Sequence, residues 1–404
     1  MKVLLIDVNC KNSSTGRIVY DLYTNCQTAG HEAAICYGRG AEITEPNIYK
    51  FGLDWETKLH ALLTRLTGYT GRFSCFSTKR LLRFIKSFQP DVVHIHELHA
   101  YFVNIKPLLS YLKKNRIPTI CTLHCEFMYT GKCGHAMECE QWKTLCQKCP
   151  RVRSYPQSLF FDRTRQMYLE KKALYENYPN ITITAPSAWL LKRAQQSMLG
   201  DKSAFVIPNG IDTDVFCPTD PSALRKELNI APEEKVVLAL APHIMNQAKG
   251  GMYVLELAKK TAGENIRYVM VGADDPTIAV PDNVILKGAI YDTNLLAQYY
   301  SMADLFVICS LRENFPTTCL EAQCCGTPVY GFDAGGTKET ALESPERFVE
   351  YGNVDALTEK ICLASRKTPE AGNALSQKAA DAYSKQQMFA KYLALYEKGR
   401  SSAS

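Results

Sequence analysis

Short apolar runs alternate with amphipathic segments of helical length along the whole chain. The runs are of strand length and are bounded by polar or turn-forming residues, so they predict buried β-strands. They occupy residues 3–6, 33–36, 92–95, 119–122 and 181–184 in the first half, and residues 236–240, 268–271, 284–286, 305–308 and 328–330 in the second. Segments such as 251–260 and 295–302 predict helices between them. This alternation predicts parallel sheets that are covered by helices on both faces.

A break at residues 206–212 divides this pattern into two halves. It contains an Asn-Gly turn at Asn209 and is followed by Pro218 and Pro221. The 404 residues also exceed what one ordinary core accommodates. We therefore expect an α/β protein with two Rossmann-like doubly wound domains, residues 1–207 and 208–404, in which the last helix, near residues 384–400, packs back on the first domain. Ligands bind beyond the carboxyl ends of parallel strands, so an active site is expected in a cleft between the domains.

The composition narrows the class of protein. Hydrophobic residues at 46% and charged residues at 22% are typical of a folded chain and exclude extensive disorder. The opening residues lack the apolar core of a signal peptide, and no apolar run reaches transmembrane length. Sixteen cysteines without a secretion signal indicate reduced thiols or metal ligands. We expect a cytoplasmic protein.

The net charge of +6 hides an asymmetry between the halves. Residues 1–200 carry a net charge of +12, and residues 201–404 carry −6. Residues 58–86 contain seven basic side chains and no acidic one. Such a stretch suits an anionic membrane surface, an anionic substrate or nucleic acid, and the alternative is an ordinary solvated helix face.

The densest candidate for chemistry follows the strand predicted at residues 305–308. Pro316 suits the first turn of a helix, whose unpaired N–H groups and dipole can bind a diphosphate. Glu313 and Glu321 flank this turn and can accept hydrogen bonds from hydroxyl groups on either side of the diphosphate. The alternative for Glu321 is a capping box with Thr318, three residues earlier.

Several segments together resemble the family 4 glycosyltransferases of the GT-B fold. They are the Glu313-x7-Glu321 motif, residues 326–329 and 331–336 after it, residues 208–212 at the break, and residues 13–17 after the first strand. The resemblance covers essentially the whole chain in the right order. It implies a GT-B fold, with an acceptor-binding first domain and a donor-binding second domain.

The resemblance also implies roles for individual residues. Glu313 is expected to contact the transferred sugar and Glu321 the nucleotide ribose. Gly16 is expected to let the backbone approach the donor phosphates. The remaining donor-binding residues are expected to be Asn209, Lys249, Asn314, Phe315 and Pro316.

The basic pair that usually neutralises the diphosphate is incomplete in this chain. Lys249 and Gly250 match its second half, but residues 241–243 stand where an Arg is usual, so His243 or another Arg would have to compensate. His124 ends a predicted strand where related enzymes carry a sugar-site His. We therefore expect Lys249, Glu313 and His124 to be catalytic, and His94, His96 and His99 to line the cleft.

A cluster of cysteines lies apart from these motifs, in an insertion near residues 125–150. Cys133, Cys139, Cys146 and Cys149 fall within seventeen residues and can form a tetrahedral structural zinc site. The segment 126–153 has few large apolar residues, so a metal would help it to hold a shape. The alternative is four free thiols.

These observations predict a retaining glycosyltransferase of the hexosyltransferase type. We expect it to transfer a sugar from a nucleoside diphosphate sugar to a sugar or lipid-linked acceptor, in cell-surface polysaccharide or glycolipid synthesis at the inner face of the membrane. Family membership implies no catalytic metal, and we expect no nucleic-acid partner. The D-x-D sequence that begins at Asp212 lies in the break and is not expected to bind a metal. The alternatives are a GT-B nucleotide-sugar epimerase or hydrolase, and a non-enzymatic zinc and nucleic-acid binder.

Overall fold

A computed structural model describes residues 1–275 and 277–401. The chain divides into two compact units. Unit 1 comprises Met1–Pro208 and the described part of Met388–Ser404, and unit 2 comprises Asn209–Gln387. Within the described residues, none of the helices is both long and apolar enough to cross a bilayer.

Unit 1 is a parallel sheet with helices on both faces. Its strands are Lys2–Asp7 (β1), Glu32–Tyr37 (β2), Ile48–Lys50 (β3), Val92–Ile95 (β4), Thr119–Thr122 (β5), Ile181–Ala185 (β6) and Ser203–Val206 (β7). Its helices are Ser14–Thr28 (α1), Asp54–Thr67 (α2), Cys75–Phe88 (α3), Ile105–Lys114 (α4), Thr164–Tyr175 (α5), Ala188–Gln195 (α6) and, numbered in chain order, Lys385–Ser401 (α13), together with a 3₁₀ turn at Gln141–Lys143. The strand order is β3-β2-β1-β4-β5-β6-β7.

Unit 2 repeats this architecture. Its strands are Lys235–Leu240 (β8), Ile266–Val271 (β9), Val284–Lys287 (β10), Leu305–Ile308 (β11), Val329–Asp333 (β12) and Phe348–Glu350 (β13). Its helices are Ser222–Glu227 (α7), Gly251–Lys260 (α8), Thr293–Met302 (α9), Thr317–Cys324 (α10), Val354–Leu363 (α11) and Pro369–Tyr383 (α12), and 3₁₀ turns lie at Gln247–Lys249, Lys338–Thr340 and Pro345–Arg347. The strand order is β10-β9-β8-β11-β12-β13.

These sheets confirm the predicted fold class of two Rossmann-like parallel-sheet domains. All ten predicted strands are present, within a few residues of their expected bounds. The sequence analysis missed β3, β7 and β13. These strands form three of the four edges of the two sheets. Two of them have only three residues, and β7 is largely exposed, so none has the buried apolar run that marks a central strand.

Helix α13 contributes to the core of unit 1. Its residues Met388, Phe389, Tyr392 and Tyr396 belong to the apolar cluster that includes β1 and α1. Tyr392 and Tyr396 are fully or nearly fully buried, and their hydroxyls contact Thr122 of β5 and His94 of β4. The end of the chain therefore stabilises the sheet on which unit 1's polar groups are arranged.

Candidate functional site

Both sheets have a topological switch point, at which successive strands are added on opposite sides. In unit 2 it lies between β8 and β11, and in unit 1 it lies between β1 and β4. Chain connections on either side of a switch point leave a crevice beyond the carboxyl ends of these strands, where ligands bind in open α/β sheets. The polar groups after these four strands therefore define the candidate site in each unit.

In unit 2, the switch point brings Lys249 and Glu313 together. Lys249 follows β8, Glu313 follows β11, and their Nζ and Oε1 atoms lie 2.8 Å apart. The lysine side chain is 34% exposed and the glutamate side chain 21%, so the pair is open to solvent. These two predicted catalytic residues therefore form a cation–carboxylate pair at the position where a ligand is expected.

Local backbone geometry fixes the position of Lys249. The next residue, Gly250, has φ of 74°, and a Cβ atom there would lie 2.0 Å from the carbonyl oxygen of Cys309. A hydrogen bond from the amide of Leu311 to the carbonyl of Ala248 joins the same two segments at 3.0 Å. Only glycine fits this approach, so Gly250 allows the Lys249 turn to pack against the connection from β11 to α10.

The N-terminus of α10 lies directly after Glu313. Pro316 is its N-cap residue, and its side chain accepts no hydrogen bond from the first turn. Asn209 donates from Nδ2 to the carbonyl of Phe315 at 3.1 Å and holds the turn in place. The ring of Phe315 packs against Tyr383 in the core, and Asn314 is also buried. The N-terminus thus presents backbone rather than side-chain groups.

Glu321 lies within α10 and is buried. Its Oε2 atom accepts a hydrogen bond from the hydroxyl of Tyr300 at 2.8 Å. The capping-box alternative with Thr318 is wrong, because the helix begins at Thr317 and its N-cap position is occupied by Pro316. A tyrosine of α9 therefore helps to position the carboxylate of Glu321.

Two further residues of unit 2 have partners that bear on the sequence predictions. His243 pairs through Nδ1 with Asp274 in an exposed contact. Asp212, the first residue of the D-x-D sequence, pairs with Lys385 at 2.6 Å and accepts the amide of Asp214. The carboxylate of Asp212 is thus engaged within the polypeptide.

In unit 1, the switch point brings two acidic side chains together. Asp7 ends β1 and accepts the backbone N–H of Glu97, which follows β4, at 3.0 Å. Burial, helped by the charge of Glu97, raises the pKa of Asp7 to about 7. Burial also opposes ionisation of Glu97, but the charge and hydrogen bond of His99 lower the pKa of Glu97 to about 2. One of these acids is therefore ionised at neutral pH while the other is close to its midpoint.

Glu97, His99 and Cys125 form the one group of metal-ligand types that lie close together in the described chain. Their ligand atoms are within 4.8 Å of one another. His99 is paired with Glu97, and the thiol of Cys125 lies 3.8 Å from a Glu97 oxygen. Burial opposes protonation of His99, but the charges of Glu97 and Cys125 raise its pKa well above the usual range. The group therefore functions in this structure as a buried ion pair.

His124 lies after β5, as predicted, and is hydrogen-bonded to another imidazole. Its Nε2 atom is 3.0 Å from Nδ1 of His96. Burial lowers the pKa of His124 and holds it neutral at pH 7.

His94 is not a lining residue: it is fully buried and bonds to Tyr396 and to Thr122. The prediction for His94 is wrong because a residue inside a central strand points into the packing layer.

Gly16 lies in the first turn of α1, where its amide donates to the side chain of Ser13 at 3.2 Å. A Cβ atom at this position would lie 3.3 Å from the amide nitrogen of Lys11. The loop after β1 therefore packs closely against this turn. In the same turn, the hydroxyl of Thr15 bonds to Asp7 at 3.3 Å, which connects the loop to the switch point.

The four cysteines of the insertion line one small cavity in unit 1, which also contains parts of the chain near Gly131 and Trp142. The expectation that segment 126–153 has few large apolar residues to hold its shape is wrong for residues 126–142. Phe127, Tyr129 and Trp142 are buried in the core of unit 1. Sequence reasoning assigned them to an insertion because no strand or helix pattern surrounds them.

Sequence reasoning also missed Asp7 and the buried pair of Glu126 and Arg193. Arg193 donates from Nε to Glu126 Oε1 at 2.8 Å, and Glu126 is fully buried. Glu126 and Arg193 are 67 residues apart in sequence and come together only in the folded sheet. The available signal was positional: Asp7 ends an apolar strand, and Glu126 closely follows another.

Comparison with known proteins agrees with this architecture. The profile of the Glycosyltransferase Family 4 matches residues 15–215, and that of the Glycosyl transferases group 1 matches residues 221–382. The chain is a group 1, family 4 glycosyltransferase. It is 26% identical over 422 residues to the putative colanic acid biosynthesis glycosyl transferase WcaC of Escherichia coli K12, covering 98% of this chain and 100% of the relative.

Solved structures show the same GT-B fold. Sucrose-phosphate synthase from Thermosynechococcus elongatus has a TM-score of 0.69 at 18% identity, with 98% of both chains covered. Anabaena HepE in complex with UDP-glucose has a TM-score of 0.64 at 16% identity, with 98% of this glycosyltransferase and 99% of that chain covered. The recognition of the family from the sequence is thus confirmed, and the non-enzymatic binder loses its support.

Proposed function

We propose that this glycosyltransferase transfers a hexosyl group from a nucleoside diphosphate sugar, with retention of anomeric configuration, during cell-surface polysaccharide synthesis. The observation that carries the proposal is the open pair of Lys249 and Glu313 beside the N-terminus of α10. The relatives add support: the Escherichia coli relative is named for colanic acid biosynthesis, and HepE structures contain UDP or UDP-glucose.

The chemistry of this arrangement suits a diphosphate leaving group. As the bond from the sugar to the diphosphate breaks, negative charge grows on the departing oxygens. The ammonium group of Lys249 and the N–H groups at the start of α10 are positive elements that can stabilise this charge without a metal. Glu313 would then be released from Lys249 to accept hydrogen bonds from the sugar hydroxyls.

The acceptor is assigned to unit 1 in this proposal. The neutral imidazole of His124 can hydrogen-bond a hydroxyl of the sugar, and Asp7, with its pKa of about 7, can exchange a proton near neutral pH. The acceptor is proposed to be a sugar or a lipid-linked sugar.

A binding screen tests the donor assignment. We expect one nucleotide sugar to raise the melting temperature, since a ligand at 100 times its Kd stabilises by about 2.7 kcal/mol. Lys249→Ala should abolish most of this shift and slow sugar transfer by about 2–4 kcal/mol of activation free energy. Lys260→Ala is the matched control, because it removes a Lys–carboxylate pair of the same unit at Asp355. Unchanged binding and turnover in Lys249→Ala would contradict the donor assignment.

An inverted surface on helix α2 supports a membrane partner. Trp55, Leu59, Leu62 and Leu66 recur at helical spacing and are 40–54% exposed, whereas the buried positions of α2 are the polar Glu56, Thr57, His60 and Thr64. Apolar residues outside and polar residues inside are the reverse of an ordinary surface helix. Phe76 contacts Trp55, and the exposed Phe160 and Phe161 lie in a segment joined to α2 by the hydrogen bond from Leu159 to Arg65.

Basic side chains surround this apolar face. Lys58, Arg65 and Lys79 are exposed, and the Lys79 ammonium lies 5.8 Å from the Phe76 ring centre. Arg72, by contrast, is engaged with Glu170 at 2.8 Å. Apolar residues that enter the interface and cations that attract anionic headgroups suit peripheral binding to an anionic membrane. We therefore propose that the enzyme works on a membrane surface.

Vesicle co-sedimentation tests this part of the proposal. The wild type should bind phosphatidylglycerol vesicles, with affinity that falls as salt rises, and should bind phosphatidylcholine vesicles weakly. Leu62→Ser should weaken binding by roughly tenfold, whereas Leu363→Ser, at an exposed leucine of unit 2, should not. Vesicle binding that does not depend on lipid charge or on salt would overturn the membrane assignment. A wild-type dimer in solution that Leu62→Ser disrupts would also overturn it.

A further inference from the structure

The insertion in unit 1 carries a feature that glycosyl transfer does not use. Cys133, Cys139, Cys146 and Cys149 all line one cavity of about 20 Å³, which is room for a single ion or water and too little for an organic ligand. All sixteen cysteines of the described chain are free thiols, so these four are available as ligands. Their convergence on one small space is the first observation that points to a metal.

One of the four sulfurs accepts the kind of hydrogen bond that a thiolate attracts. Cys146 Sγ accepts the backbone N–H of Gly131 at 3.2 Å. A backbone N–H directed at a sulfur stabilises negative charge there, as a metal-bound thiolate requires.

Two buried lysines provide an independent observation. Lys132 and Lys171 are 2% and 6% exposed, yet their ammonium groups donate to carbonyl oxygens, which carry no net charge. Charged side chains are rarely buried unless they are paired. The thiols whose charge acts on Lys132 are Cys149 and Cys133, and those that act on Lys171 are Cys146, Cys125 and Cys133. Asp162 adds one further negative charge near Lys132.

A bound divalent metal would give the two buried lysines a negatively charged partner. Four thiolates and one divalent cation carry a net charge of −2, so positive side chains are expected beside such a site, and Lys132 and Lys171 provide them. A set of four thiolates with no carboxylate or water favours zinc in a closed tetrahedral site. The metal would also hold residues 144–157, which have no helix or strand, against residues 126–142, which Trp142 anchors in the core.

We propose that Cys133, Cys139, Cys146 and Cys149 bind one structural Zn²⁺ ion that holds residues 144–157 against the rest of unit 1. The described sulfurs are more widely spaced than in a closed site, since no three of them fall within 4.8 Å of one another. Zinc–sulfur bonds of about 2.3 Å require sulfur separations of about 3.8 Å, so zinc binding draws the four thiols inward. This role is distinct from donor and acceptor chemistry and does not depend on the proposed function.

Elemental analysis of the full chain, purified without chelator, tests the site. We expect about one zinc per chain and little iron. Cys149→Ser and Cys139→Ser should each lose most of this zinc, while Cys75→Ser and Cys362→Ser, at exposed cysteines of units 1 and 2, should retain it. Retention of zinc in both ligand variants would overturn the proposal, and so would stoichiometric iron with the visible absorption of an iron–sulfur cluster.

Two measurements on the wild type cover the case in which the variants fail to fold. A mercurial reagent should release about one zinc as it titrates the four thiols. Removal of zinc should accelerate tryptic cleavage at Lys148, Arg151 and Arg153, and added Zn²⁺ should restore protection, whereas cleavage of unit 2 should not change. Native protein without zinc, in which all four thiols react freely and added Zn²⁺ gives no protection, would refute the site.

Discussion

The two switch points share a topology but hold their charges in different ways. In unit 2, Lys249 and Glu313 form a partly exposed pair, which costs little free energy to open. In unit 1, Asp7 and Glu97 are buried, and nearby Glu126 is fully buried against Arg193. Separating buried charges has a large free-energy cost. At the carboxyl edge of the sheet, unit 2 therefore has an ion pair that can open, whereas unit 1 has buried polar groups that stay in place.

This difference suits the two tasks proposed for the units. In the proposed reaction, the donor diphosphate displaces Glu313 from Lys249 during each turnover. Because the ion pair is partly exposed, little free energy is needed for this exchange. An acceptor needs a hydroxyl or proton-exchanging group held in one position, and buried neighbours provide this for His124 and Asp7. Substitutions that remove equivalent charges in the two units should therefore have unequal effects on stability.

The largest expected effect concerns the buried pair of Glu126 and Arg193. Glu126→Gln removes the buried counter-charge of the guanidinium and leaves it only the more exposed Glu140, so it should lower the free energy of unfolding by about 3–5 kcal/mol. Glu313→Gln removes a partly exposed partner and should change stability by about 1 kcal/mol or less. Urea denaturation of the two variants measures both values. Equal losses would show that the contrast in burial has no energetic consequence.

A second prediction uses the pH dependence of Asp7. Its pKa rises from 3.8 to about 7 on folding, so the folded chain binds this proton more tightly than the unfolded chain. The resulting stabilisation is full below pH 3.8 and is lost as the pH rises to about 7. A shift of this size corresponds to roughly 4 kcal/mol at most. Asp7→Asn, which cannot ionise, should therefore gain stability relative to the wild type as the pH rises from 5 to 8.

Urea denaturation at several pH values between 5 and 8 measures this difference. His99 titrates in both proteins, so comparing the variant with the wild type isolates Asp7. The lowered pKa of Glu97 has the opposite sign, because its stabilisation is lost only as the pH falls from 4.5 to about 2, below the measured range. A constant difference between the two proteins would show that Asp7 is not held near neutrality by its surroundings.

The contrast between the units also explains what the sequence could predict. The central strands and the fold class were readable because buried parallel strands are continuous apolar runs. In unit 2, Glu313, Pro316 and Glu321 lie within nine residues, so a local motif contains most of the site. Asp7 and Glu97 are 90 residues apart and meet only because β1 pairs with β4. No local pattern encodes such a meeting, nor the inverted exposure of α2, which depends on how that helix is packed.

The smallest of these effects separates the two glutamates of unit 2. Glu321 is buried and accepts a hydrogen bond from Tyr300, whereas Glu313 is partly exposed and paired with Lys249. If Glu321 binds the nucleotide ribose, Glu321→Gln should weaken nucleoside diphosphate binding by about 1.5–3 kcal/mol, roughly tenfold to hundredfold. Glu313→Gln should preserve that affinity and reduce turnover instead, because Glu313 is proposed to contact the transferred sugar rather than the nucleotide. Calorimetry with the nucleoside diphosphate and initial rates with the donor distinguish the two.

Tyr300→Phe is the control for this split, since it removes the hydrogen bond to Glu321 but leaves the carboxylate. If the carboxylate of Glu321 binds the ribose directly, Tyr300→Phe should retain most of the affinity for the nucleoside diphosphate. Glu321→Gln should then lose clearly more of that affinity than Tyr300→Phe does. Equal losses in the two variants would instead assign Glu321 to packing between α9 and α10. Full affinity in Glu321→Gln would remove the residue from the donor site and leave Lys249, Glu313 and the start of α10 as its described components.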